Sequence, residues 1–222
     1  MDALIDYDAE YYRSHYSLYL DEGYHRLIAG FWQRNWFLGY DVNQDTSVFE
    51  YGLGLGANVA WSKRAGGCDA SPYSQQFCAE KGIRVYKDPA EVPDGSYDFV
   101  LSSHSLEHVD HPLQVIREMT RICRPSGRVV LIVPWERHGR STFAKDGDAH
   151  LYAWTFRTLN NLLLRGGGLE LEDNRVLWGP TGVRKLQFLE RLAGADSYYA
   201  AVRVLGRLRG SLRSLRVVAR RV

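Results

Sequence analysis

The chain has 222 residues, 45% of them hydrophobic and 24% charged, with a net charge of +2. These values fit one globular domain with a sizeable core and favour no class of charged partner. No apolar run approaches the ~18 residues a membrane span needs, and the acidic start, MDALIDYDAEYY, is not expected to be a secretory signal. Cys68, Cys78 and Cys123 are odd in number and lack C-x-x-C spacing, which argues against a disulfide framework or a zinc–cysteine site. Buried free thiols and a cytoplasmic location are expected.

In chain order, residues 8–40 carry aromatic and aliphatic side chains at helical spacing, among them Tyr12, Tyr16, Tyr19, Leu27, Ile28, Phe31 and Trp32. VFEY predicts a strand that breaks into glycines and then enters a helix. GGC predicts a second strand, and Pro72 to Lys81 a helix with Ser71 as N-cap. IRVY is a strand, VPDGS a turn, YDFVLSS a buried strand, and His111 to Cys123 a helix starting near Pro112. RPSGR reads as a turn before VVLIVP, the most apolar strand. Residues 135–153 read as a loop, Thr155 to Arg165 as a helix and GLELEDNRVLW as a strand. The stretch from 181 to about 209 reads as helix, and LRVVARR as a last strand. Alternating strands and helices imply βαβ units and a mostly parallel sheet with helices on both faces, a Rossmann-like α/β fold.

The most informative segment is Val48 to Asn58. A strand ends at Glu50, and Gly52, Gly54 and Gly56 alternate after it, letting the backbone turn tightly and a ligand approach closely. A following helix N-terminus would offer N–H groups to an anion. Asp69, thirteen residues after Gly56, ends the second strand, where a carboxylate can accept both ribose hydroxyls. This is a nucleoside-binding arrangement, and Gly52, Gly54 and Ala57 also satisfy the looser glycine fingerprint of NAD proteins.

Downstream, Tyr97-Asp98-Phe99-Val100, Leu106-Glu107-His108-Val109, Pro112 and Arg124-Pro125-Ser126-Gly127 resemble, together with the glycine loop, the class I S-adenosylmethionine-dependent methyltransferases acting on small molecules. The resemblance covers roughly residues 46–135. It implies that Glu50, Gly52, Gly54 and Gly56 form the first cofactor motif and that Asp69 holds the ribose. Ala70 and Ser71 would flank the adenine, and Ser103 and His104 would border the methionine end. An N-terminal cap carrying Tyr12 and Tyr16 would cover the cofactor. The span between Gly56 and Asp69 is short for the family, so the first helix is expected to be clipped. Asp88 is the nearest match to the acid beside the adenine.

His150 and His108 are the candidate general bases, since neutral imidazole suits proton removal near pH 7. The H-x-x-E-H spacing from His104 to His108 follows a strand directly, and no metal site is expected. Seven arginines from Arg203 to Arg221, with no acid among them, read as a solvated face or as a contact for an anionic glycan or membrane surface. The expectation is a single domain over 1–222: a helical cap (1–45), a cofactor-binding core (46–135) and acceptor-side segments with the last strands (136–222). The expected activity is methylation of a small-molecule or glycan acceptor, first of all a sugar hydroxyl in polysaccharide biosynthesis. Quinone, lipid or natural-product acceptors are alternatives, and nucleic acid is not an expected partner. Of other classes, an NAD-dependent oxidoreductase would need a Y-x-x-x-K proton donor that the chain lacks, and a non-catalytic cofactor-binding protein remains open.

Overall fold

A computed structural model describes residues 6–136 and 149–222. Helix α1 (Ala9–His15) is capped by Asp8, whose carboxylate accepts from the Tyr11 N–H. A 3-10 turn (Ser17–Leu20) separates it from α2 (Glu22–Trp36), so the helical pattern over 8–40 is two helices and a corner. The remaining elements are β1 (Val48–Tyr51), β2 (Ala65–Cys68), α3 (Pro72–Glu80), β3 (Arg84–Tyr86), β4 (Tyr97–Ser103), α4 (Pro112–Ile122), β5 (Cys123–Pro134), α5 (Phe156–Gly166), β6 (Leu169–Trp178), α6 (Phe188–Leu208) and β7 (Arg213–Arg221). Ser71 and Thr155 cap α3 and α5 through their hydroxyls. The expected RPSGR turn is instead a bulged start of β5, with Ser126 at φ 62°.

The seven strands form one sheet in the order β3-β2-β1-β4-β5-β7-β6. β1 to β5 run parallel; β7 is antiparallel to both β5 and β6. This is the doubly wound α/β fold expected from the sequence. The strand order reverses between β1 and β4, which places a ligand crevice beyond their carboxyl ends.

Period-two alternation divides the core between the two sheet faces. Val48, Val130, Ile132 and Val218 pack on one face against Ile28, Phe31 and Trp36 of α2 and Tyr198 and Val202 of α6. Phe49, Val129, Leu131 and Val217 pack on the other against Ile116 and Met119 of α4 and Leu159 and Leu163 of α5. Each such side chain removed from water contributes roughly 1.5–3 kcal/mol, which is what holds the short β1 between two helical layers.

Two expectations fail for identifiable reasons. No helix follows the glycine loop; residues 54–61 form successive turns. Only residues 52–64 connect β1 to β2, about the dozen a βαβ crossover requires before the glycine turns take their share. The arginine-rich end is a solvated face only in part: Arg207 and Arg209 are exposed, but the arginines of β7 are engaged. Arg216 is fully buried, donates to the carbonyls of Trp36 and Leu38 at 2.9 Å each, and pairs with Asp173. Arg220 pairs with Glu170 and Glu172, and Arg221 donates to the carbonyls of Arg121 and Cys123. No helix among the described residues is long and apolar enough to cross a membrane.

Candidate active site

β1 ends in Gly52, Gly54 and Gly56, all in the left-handed region at φ 85°, 51° and 69°. They do different work. A Cβ on Gly52 would lie 2.3 Å from the Ser105 Oγ, so this glycine lets the loop press against the chain leaving β4. A Cβ on Gly56 would lie 2.5 Å from Ile83 Cδ1 and 3.0 Å from Cys78 Sγ. Gly56 therefore serves packing against α3 and β3, and the structure does not place it on an open surface. A Cβ on Gly54 meets nothing within 4 Å; only here does the loop present bare backbone to open space.

Asp69 pins that loop. Its Oδ2 accepts from the Gly54 N–H and its Oδ1 from the Ser71 N–H, both at 2.8 Å. Burial raises its pKa; the N–H groups of Ser71 and Gly54 oppose the rise. Each oxygen retains a lone pair, since a carboxylate offers about four acceptor sites. Beneath the loop, Glu50 is fully buried, and burial holds its carboxyl well above the ordinary value. Its Oε1 accepts from Asn58 Nδ2 at 2.6 Å, while Oε2 has no partner among the described residues.

With no helix after it, the loop is held from α2: Trp36 Nε1 donates to Asn58 Oδ1 at 2.8 Å, and His25 Nε2 bonds the Leu55 carbonyl at 2.8 Å. The cap contributes too. Tyr12 is buried and stacks on Tyr73 at 5.4 Å, and burial together with the Asp69 charge pushes its phenol up. The Tyr7 carbonyl accepts from the Ser71 hydroxyl at 2.5 Å. Tyr16 is 40% exposed and lies among the tyrosines of the cap rather than against the loop. Ala70 is exposed beside Asp69, and Asp88 caps the short turn Pro89–Glu91 through the Ala90 N–H.

Beyond β4, Ser103 is buried and His104 turns at φ 51°. Its Nε2 lies 3.0 Å from the Ser214 hydroxyl; burial and the facing His150 and His108 push its pKa down to about 4, so it is neutral at pH 7. The rings of His108 and His150 meet edge-on at 4.9 Å. His150 Nδ1 bonds Glu136, which follows β5, and its Nε2 stands 4.0 Å from Glu107 Oε1. One donor atom each from Glu107, His108 and His150 lie within 4.8 Å of one another. Tetrahedral zinc, with bonds of about 2.1 Å, sets its donors roughly 3.4 Å apart, so a metal would have to draw this cluster inward. Of the expected loop at 135–153, residues 137–148 lie outside the described residues. Sequence spacing had not marked Glu136, Asn58, Tyr7 or Tyr73; each acts through a partner distant in the chain.

Glu50, Asp69, Ser103 and Glu136 all stand at or just past carboxyl ends of parallel strands. An open pocket of about 500 Å³ near Tyr40, Asp98, Arg124 and Arg128 lies at the opposite, amino-end edge and takes no part in this cluster. The glycine cradle, the ribose-competent acid and the unmatched buried Glu50 oxygen fit an adenosine cofactor with a cationic amino-acid tail. The fold and the site together form a crevice of the kind that holds a nucleoside cofactor at the switch point of a doubly wound sheet.

Comparison with known proteins points the same way. A family model described as a methyltransferase domain matches residues 49–131. A "probable S-adenosylmethionine-dependent methyltransferase" of Mycolicibacterium smegmatis is 29% identical over 157 residues, covering 67% of this chain and 59% of the relative. The chain thus spans about three fifths of that relative's length. The methyltransferase solved with the Trm112 methyltransferase activator of Haloferax volcanii has a TM-score of 0.64 at 16% identity, with 99% of each chain covered. Phosphoethanolamine N-methyltransferase 2 of Haemonchus contortus, solved with S-adenosylhomocysteine, has a TM-score of 0.58 at 13% identity over 98% of this chain and 60% of that one. These two likenesses are of fold. The chain is thus similar to S-adenosylmethionine-dependent methyltransferases, through a methyltransferase-domain match over residues 49–131 and through its fold.

Proposed function

We propose that this chain transfers the methyl group of S-adenosylmethionine to a hydroxyl of a small-molecule or glycan acceptor, in the first place a sugar hydroxyl. One observation carries the proposal: the His108–His150 pair, with His150 held by Glu136, stands on the same sheet edge as the glycine cradle and Asp69. When bound, the cofactor supplies an electrophilic methyl on a sulfonium. Asp69 holds the ribose, Gly54 gives the methionine end its passage, and Glu50 Oε2 accepts from the cofactor's ammonium. Tyr12 and its neighbours in the cap exclude water and face the cationic end with aromatic surface. Holding the two reactants in line supplies most of the rate. His150 takes the acceptor's proton, and Glu136 fixes the ring and stabilises the imidazolium that forms. Buried thiols at Cys68, Cys78 and Cys123 support a reducing, cytoplasmic setting.

The test is turnover of a hydroxylated-acceptor panel by His150→Ala and Glu136→Gln. We expect His150→Ala to lower turnover about tenfold or more, within the roughly 10²–10⁴-fold reach of general bases. Glu136→Gln should do less, and S-adenosylhomocysteine affinity should stay unchanged in both. Undiminished turnover in His150→Ala would leave His150 a packing residue and move the base to His108.

A further inference from the structure

We propose that Trp135, Arg213 and Trp178 form a platform that binds an anionic group of the acceptor, so that the natural acceptor is an acidic saccharide bearing a carboxylate or a phosphate. The inference rests on the proposed sugar-hydroxyl methylation and adds to it the class of sugar.

The three residues make one cross-strand row. Trp178 on β6 is paired with Arg213 on β7, and the Trp135 N–H, just past β5, donates to the Arg213 carbonyl at 2.9 Å. Paired residues in adjacent strands point to the same sheet face. Along β7 the alternation that sends Leu215, Val217 and Ala219 into the core beneath α4 and α5 puts Arg213 on that same face, at the strand's outer end. That end lies beside the carboxyl end of β5, where Pro134 pairs with Ser214. Glu136 follows Trp135 directly and bonds His150, so the row adjoins the proposed base. Strands are about 4.8 Å apart, which places Arg213 one strand beyond β5 and within the span of a sugar unit.

Arg213 differs from the other arginines of β5, β6 and β7. Arg128, Arg175, Arg216 and Arg220 pair with carboxylates, and Arg221 donates to carbonyls. The guanidinium of Arg213 lies over Trp135 at 4.9 Å and over Trp178 at 4.3 Å. Among the described residues no carboxylate pairs with it. Stacking on ring faces fixes the plane of a guanidinium while leaving its N–H donors, which lie in that plane, directed outward. A fork held that way suits bidentate capture of an oxyanion. Trp135 is 43% exposed and offers an apolar face to the C–H side of a sugar ring. A purely structural row would need neither the exposure nor an uncommitted fork.

The test uses the full chain saturated with S-adenosylhomocysteine, with binding of glucuronic acid, glucose 6-phosphate and glucose followed by ligand-observed magnetic resonance. We expect at least one acidic sugar to bind roughly tenfold or more tightly than glucose, the stronger of the two identifying the anionic group. Arg213→Met should lose that preference by roughly ten- to a hundredfold, the reach of hydrogen bonds to a charged group. Arg213→Lys, which keeps the charge without the fork, should fall between. Equal binding of glucose and both acidic sugars, binding of none of them at millimolar concentration, or an Arg213→Met protein with unchanged preference would overturn the proposal. Should Arg213→Met not fold, the wild-type comparison and Arg213→Lys still decide it. Failure of S-adenosylhomocysteine to bind would count against the methyltransferase reading itself, and so is distinguishable.

Discussion

Replacing Asp69 should separate the loop-pinning that its hydrogen bonds perform from the ribose binding proposed for it. In the folded chain it accepts from the N–H groups of Gly54 and Ser71, both at 2.8 Å. Hydrogen bonds to a charged acceptor contribute roughly 1.5–3 kcal/mol each. Asp69 is half-buried, so water replaces part of what Asp69→Ala removes, and about 3 kcal/mol is the expected loss. For a chain of this size that lowers Tm by roughly 6–12 °C. S-adenosylhomocysteine should bind the folded variant roughly 10- to 150-fold more weakly, because the proposed ribose acceptor is gone as well. Asp69→Asn keeps one acceptor oxygen and should recover about half of the stability but little of the affinity. Thermal melting with calorimetric titration of S-adenosylhomocysteine measures both. An Asp69→Ala protein melting within about 2 °C of the parent would deny the pinning role; wild-type affinity in Asp69→Asn would deny the ribose role.

Gly54→Val should fold, at a strain of roughly 1–2 kcal/mol for its left-handed backbone, and lose S-adenosylhomocysteine binding. Gly56→Ala should instead cost about 1–3 kcal/mol through its clash with Ile83 and Cys78 and bind the cofactor normally once folded; the reverse pattern in titration and melting would exchange the two roles. Glu50→Gln should weaken cofactor binding yet stabilise the apoprotein as pH rises. Burial holds the folded Glu50 pKa above the ordinary 4.5, so the parent loses stability as pH climbs from there towards the folded value. Melting temperatures should converge near pH ~4 and favour the variant at pH ~8, and a more stable parent at the higher pH would contradict the sign. Arg216→Met removes the buried guanidinium and its bonds to the Trp36 and Leu38 carbonyls while Asp173 keeps Arg175, and should cost about 1–3 kcal/mol in denaturant unfolding, whereas a loss under about 0.5 kcal/mol would show that those carbonyls find other partners.

Elements whose signals are local were legible in the sequence. Ser71-Pro72 marks a helix start whatever surrounds it, and the apolar runs of β4 and β5 can be satisfied only inside a sheet. Glu50, the glycines and Asp69 were legible because their spacing along β1 and β2 reflects strand geometry. The missing helix after Gly56 was legible only as a short count of residues. In its place Asn58 bonds Glu50 and Trp36, and Trp61 Nε1 donates to the Asn58 carbonyl at 2.7 Å. The arginine-rich end misled because charge was counted along the chain. In β7 successive side chains leave on opposite faces, so Arg216 faces α2 beside Asp173 while Arg213 stacks on tryptophans. Glu136 with His150 was hidden by an intervening loop.

The hold of α2 on the glycine loop makes the N-terminal region a foundation rather than a hinged cover. Trp36 and His25 reach the loop across 22 and 30 residues of chain, while Asp69 and Ser74 hold Gly54 from the other side. The glycine cradle therefore takes part of its support from the amino-terminal helices packed on the sheet. A donor cap grafted from a relative to change acceptor preference would have to bring its own equivalents of Trp36 and His25, or the exchange would dismantle the cofactor site along with the lid.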